Sequence, residues 1–197
     1  MMFFFDMIGT IAFAIAGALV GVQKRLDVFG VIVLALATAV GGGIVRDVVI
    51  SNTPPMAFRN HIYVLISIIS AVIVMFMYHK AVRYNILIQV CDALGLGAFA
   101  VAGANMAMDF GYHNIVTVAF LSVVTAVGGG VIRDIFVGEI PGVFRHEVYA
   151  VAALAGAIAF YYAYPYLTAD ESMYLCFIVT TGLRLIAMKF KWNLPVV

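Results

Sequence analysis

Apolar residues run along this chain in long continuous stretches separated by short polar ones, with no alternation of apolar and polar positions. The stretches are Met7–Val22, Val28–Val45, Ile62–Tyr78, Ala93–Met108, Ile115–Ile132 and Val148–Ala169. A weaker one, Ser172–Met188, is interrupted only by Arg184. A helix that spans a bilayer takes roughly 20 residues, so the pattern predicts seven transmembrane helices. The strands of a membrane barrel would alternate in segments of about 10 residues, which this sequence does not do. The N-terminus has neither the basic stretch nor the small-residue cleavage site of a signal peptide, so the first run is expected to be a retained helix.

Composition makes lipid the solvent. Of 197 residues, 65% are hydrophobic and 11% charged, against about 45–50% and about 25% in a soluble domain. The expected architecture is one all-α integral membrane domain over 1–197, with no room for a soluble catalytic or nucleotide-binding domain. Eleven Lys and Arg against ten Asp and Glu give no electrostatic case for nucleic acid binding. Cys91 and Cys176 lie in or beside apolar runs and are read as packing residues. Neither a metal site nor a cofactor is expected. His61, His79, His113 and His146 fall near the predicted membrane boundaries, and no catalytic set suggests an enzyme.

The loop charges give an orientation. Lys24, Arg25, Lys80, Arg83, Arg145, Lys189 and Lys191 all fall on one side of a seven-span topology. The opposite loops carry Arg59 with Asp109, Asp170 and Glu171. The positive-inside rule then places the N-terminus outside and the C-terminus in the cytoplasm of an inner (plasma) membrane. Trp192, Tyr161, Tyr162, Tyr164 and Tyr166 suit the two interfaces.

The two halves of the chain echo each other. Ala12-Phe13-Ala14-Ile15-Ala16-Gly17-Ala18 matches Ala98-Phe99-Ala100-Val101-Ala102-Gly103-Ala104, and Asp6 falls on Asp92. The block Thr38-Ala39-Val40-Gly41-Gly42-Gly43-Ile44-Val45-Arg46-Asp47 matches Thr125-Ala126-Val127-Gly128-Gly129-Gly130-Val131-Ile132-Arg133-Asp134. Phe58-Arg59 aligns with Phe144-Arg145, and Tyr63 with Tyr149. Three helices per copy is an odd number, so the second copy must enter the membrane in the opposite sense. The expectation is two inverted repeats, about 3–80 and about 86–167, plus an extra helix at about 171–190. Transporters built this way hold their sites near the midplane, where the copies meet.

The glycine triplets carry the candidate chemistry. Each glycine costs about 1 kcal/mol relative to alanine in a helix, so Gly41–Gly43 and Gly128–Gly130 are expected to kink or unwind their spans. A broken span must lie against protein or a water-filled cavity, where freed carbonyls ligate cations and a new helix N-terminus faces anions. The competing reading is close helix packing through small residues, and the duplication tilts the balance toward function. Arg46-Asp47 and Arg133-Asp134 follow the triplets. Charge at a span's centre costs about 2.5–3.5 kcal/mol, so these residues should face an aqueous path or form structural ion pairs. Asp6 and Asp92, each at the start of a predicted helix, are either partners of the helix dipole or, for Asp92 above all, a cation site. Asn105 and Gln89 are further neutral candidates. Gly17-x-x-x-Gly21 and Gly103-x-x-x-Ala107 are read as packing. Gly95-Leu96-Gly97-Ala98-Phe99-Ala100 resembles a dinucleotide fingerprint but has no strand around it.

The paired block, with Gly138-Glu139-Ile140-Pro141 after the second copy, resembles the prokaryotic trimeric intracellular cation (TRIC) channel homologues, also grouped as a glycine-transporter-like family. The resemblance covers essentially the whole chain. It implies a homotrimer with a pore in each protomer, conducting monovalent cations, chiefly potassium, with sodium a further candidate. It further implies that the second and fifth spans bend around the pore and place Gly41–Gly43, Gly128–Gly130, Arg46 and Arg133 beside it. The Lys-Glu-Val stretch of animal members is missing from this sequence, so phosphoinositide control does not carry over. A secondary transporter of glycine or another small zwitterion is the alternative that the same helices would serve.

Overall fold

The computed structural model describes residues 1–78, 84–144 and 148–192. Among these it is all-helical: α1 (Met2–Gln23), α2 (Val28–Val49), α3 (Met56–Arg59), α4 (Ile62–Met77), α5 (Tyr84–Asp109), α6 (Ile115–Phe136), α7 (Ala150–Ala163) and α8 (Ala169–Phe190). A 3-10 turn, Gly142–Phe144, precedes α7. Five helices, α1, α2, α5, α6 and α8, are long and apolar enough to cross a membrane. Helices α4 and α7 are apolar but shorter, with 16 and 14 residues. Helix α3 is a single turn.

Local chemistry sets the boundaries. The Asp27 side chain accepts from Gly30 N at 2.7 Å and starts α2. Asn114 does the same for α6 through Val116 N at 2.8 Å. Three expected boundaries are corrected. The run expected to span Val148–Ala169 ends as a helix at Ala163, because Pro165 cannot supply a backbone donor. Helix α8 then starts earlier than Ser172, where Thr168 and Glu171 form a capping box. Helix α5 starts well before Ala93, at Tyr84.

Helices α1 and α5 are the most deeply buried pair and pack along each other. Their matched residues interlock. Phe13 fills the space beside Gly95, and Phe99 fills the space beside Gly9. The two rings meet edge to face, with centroids 5.2 Å apart. Helix α2 lies against α1, α6 lies against α5, and α2 and α6 cross each other. Helices α7 and α8 pair and close the α5 side. Large apolar side chains such as Phe29, Val48, Phe76, Val116, Phe120 and Ile178 cover the outer surface, as lipid requires.

Candidate functional site

The expected glycine break does not occur. Both α2 and α6 continue as uninterrupted α-helix through their triplets, so no freed carbonyl or new helix end is created there. The glycines bring two backbones together instead. A Cβ on Gly42 would fall on the Thr125 carbonyl, and one on Gly129 would fall on the Thr38 carbonyl. A Cβ on Gly128 would stand 2.9 Å from Gly42 Cα. Thr38 and Thr125 each donate to the carbonyl one turn earlier, Leu34 O and Leu121 O, both at 2.6 Å. Their hydroxyls are thereby satisfied inside the crossing.

The charged residues follow directly on this crossing, in the last turns of α2 and α6. Arg46 and Asp47 are 4% and 1% exposed. Arg46 Nε donates to Asp47 Oδ1 at 2.9 Å, and Asp47 Oδ2 accepts from Met56 N at 2.7 Å. Arg133 Nε likewise donates to Asp134 Oδ1 at 2.9 Å, and Asp134 Oδ2 accepts from Gly142 N at 2.8 Å. Each aspartate thus holds its arginine with one oxygen and ties down the following loop with the other. For Asp47 and Asp134 the ion-pair reading holds.

Neither Asp6 nor Asp92 lies in the first turn of its helix, so the helix-dipole reading fails for both. Both are buried. Asp92 accepts from Arg133 Nη1 at 2.8 Å, which places that guanidinium between two carboxylates. Asp6 instead accepts from the Tyr63 hydroxyl at 3.3 Å. Among the described residues no cation pairs with Asp6. The hydroxyl of Tyr149, the counterpart of Tyr63, stands over Gly130. Arg184 of α8 lies over the Tyr149 ring, 4.9 Å from its centroid.

Each cluster opens into a cavity. The larger, about 440 Å³, is lined by the buried Asp92, Arg133, Asp134, Tyr149 and Arg184 together with the more exposed Gln23, Lys24, Asn85 and Glu139, and by Gln89 and Gly130. The smaller, about 30 Å³, is lined by Asp6, Thr10, Gly43, Arg46, Asp47, Tyr63 and Phe99. A space of that size accommodates a water or two. The two cavities touch opposite ends of α1, Asp6 in one and Gln23 in the other, about 25 Å apart at the helical rise. Between them lie Phe13 and the Gly42–Gly129 contact.

Two acidic-basic clusters therefore flank a glycine-lined crossing, each beside a cavity. Among the described residues no group of three or more His, Cys, Asp or Glu is placed to hold a metal ion. Gly41 faces Ile132 across the crossing. Asn105 lies elsewhere: it donates to Asp109 at 2.8 Å and lines neither cavity. Residues 79–83 and 145–147 carry the expectations for His79, Lys80, Arg83, Arg145 and His146, which lie outside the described residues. Tyr63, Tyr149, Phe13, Phe99 and Arg184 have site roles that sequence reasoning did not assign. The matched positions of the first four were the available signal. Arg184 had none beyond being a charge in an apolar run.

Comparison with known proteins places this arrangement in company. Residues 3–79 and 89–165 each match the family described as "Glycine transporter". The UPF0126 inner membrane protein YadS of Escherichia coli is 33% identical over 99% of this chain and 95% of its own length. A crystal structure of a prokaryotic TRIC channel in 0.5 M KCl is 36% identical, covers 98% of both chains, and superposes with a TM-score of 0.93. The TRIC trimeric intracellular cation channel orthologue from Rhodobacter sphaeroides is 32% identical. It covers 97% of this chain and 98% of its own, with a TM-score of 0.92.

Proposed function

We propose that this chain, which belongs to the family described as "Glycine transporter", is a passive channel for monovalent cations, chiefly potassium, with the path running through each protomer. The observation that carries the reading is the pair of buried clusters at opposite ends of α1, separated by a backbone-to-backbone crossing. The likeness to TRIC channel structures supports it. Asp6 and Asp92 supply the charge that draws cations in. Arg46 and Arg133 cannot discharge, so they set the field and act as barriers or gates, not ligands. Asp47 and Asp134 fix those arginines. The path opens when α2 and α6 part at Gly41–Gly43 and Gly128–Gly130, with Phe13 leaving its place beside Gly129.

The matched contacts of Phe13 with Gly95 and Phe99 with Gly9 support two inverted three-helix repeats with α8 outside them. On this reading α4 and α7 also cross, giving seven spans, with the bilayer adjusting to their shorter length. Lys24, Arg25, Lys189 and Lys191 favour a cytoplasmic C-terminus, an external N-terminus, and a larger cavity that faces the cytoplasm. A homotrimer is proposed by analogy with the trimeric orthologue.

Planar bilayers holding the purified protein across a tenfold KCl gradient test cation conduction. Current is expected to reverse near the potassium equilibrium potential, and Asp6→Asn is expected to reduce it several-fold by removing the negative charge that lines the smaller cavity. Reversal on the chloride side, or no current above protein-free bilayers, would overturn the reading.

A further inference from the structure

Arg184 stands apart from the two matched clusters. It belongs to α8, outside the paired blocks, and the smaller cavity has no second arginine beside Arg46. The residue is 8% exposed and its Nε is buried without a hydrogen-bond partner. Among the described residues none offers a carboxylate or a carbonyl to its other nitrogens; its recorded contact is the face of the Tyr149 ring. Within the described residues this guanidinium has no counter-ion; burying one so is costly, and a ring face offsets only a small part of that cost.

Arg184 lines the 440 Å³ cavity, where water and small solutes fit. The acids lining the same cavity are already engaged. Asp92 and Asp134 share Arg133, and Lys24 holds Glu139. The cavity is formally balanced, three cations against three anions, but its charges are segregated. One side is carboxylate-rich around Arg133, and the other holds the Arg184 guanidinium over the Tyr149 ring, with no carboxylate beside it among the described residues.

We propose that the larger cavity is a binding site for a small monovalent anion, a carboxylate or a halide, held on the guanidinium of Arg184. The planar fork of donors suits a carboxylate held by two parallel bonds and also accepts a halide. A dianion is disfavoured, because Asp92, Asp134 and Glu139 line the same space and would repel a second negative charge. The site is one-sided: α8 adds it to the larger cavity, and the smaller has no equivalent.

The test is thermal unfolding of the purified full-length protein in detergent, titrated with potassium acetate, potassium chloride or potassium sulfate at matched ionic strength. Acetate and chloride are expected to raise the wild-type midpoint saturably by a few degrees. Arg184→Gln should abolish the saturable rise, and Arg184→Lys should retain it at higher concentrations. Identical titrations of wild type and Arg184→Gln, or sulfate acting as strongly as acetate, would overturn the proposal. If Arg184→Gln does not fold, chloride-35 line broadening on wild-type protein, reversed by acetate and not by sulfate, provides the same decision. No readout involves ion flux, so this proposal and the channel reading fail independently.

Discussion

Replacing Gly42 with alanine is expected to destabilise the protein by about 3 kcal/mol or more, at or beyond the upper end of ordinary overpacking. The new methyl group would fall on the Thr125 carbonyl, a backbone atom in the middle of a helix that cannot turn away. Gly129→Ala should behave alike against the Thr38 carbonyl. Gly43→Ala provides the contrast, since the nearest atom to its Cβ would be Arg46 Nη2 at 3.9 Å, the far end of a flexible side chain. There the better helix propensity of alanine should raise stability by up to about 1 kcal/mol. If these glycines existed to weaken their helices, all three substitutions would stabilise. Opposite signs within one triplet, measured by thermal unfolding, identify the crossing as the reason for the glycines.

The second large effect belongs to Arg133. Arg133→Met would leave Asp92 and Asp134 buried without their shared cation, and stripping one partner from a buried ion pair costs about 3–5 kcal/mol. Adding Asp92→Asn should recover part of that loss, because one stranded charge disappears with it. The double variant should therefore be more stable than Arg133→Met alone. Arg133→Lys keeps the charge but loses the fork that engages two carboxylates at once, so it should fall in between. Additive losses in the double variant would show that Arg133 and Asp92 do not depend on each other.

Much of this arrangement was legible in the sequence because it occurs twice. A triplet of glycines followed by Arg and Asp is unremarkable once; in register at two places it marks a pair of positions related by the fold. The meaning of the triplet was less legible. Helix propensity is a local property and predicts a break, whereas the backbone of the opposite helix decides the outcome, and that partner is far away in sequence. The same distance hid the roles of Phe13 and Phe99, whose matched positions are plain but whose glycine sockets lie on each other's helices. Hydropathy also misplaced the end of α7. Tyr161, Tyr162, Ala163 and Tyr164 continue the apolar run, but Pro165 stops the helix. Arg184 lies on a helix with no counterpart in the other half, so repetition could not point to it.

The decisive measurement pairs potassium flux with glycine counterflow on one preparation of proteoliposomes. A cation channel should carry potassium at a rate that rises with its gradient and exceeds empty liposomes many-fold, with no saturable exchange of labelled glycine. Saturable glycine counterflow in the absence of potassium flux would contradict the account and assign the same paired helices to a transporter.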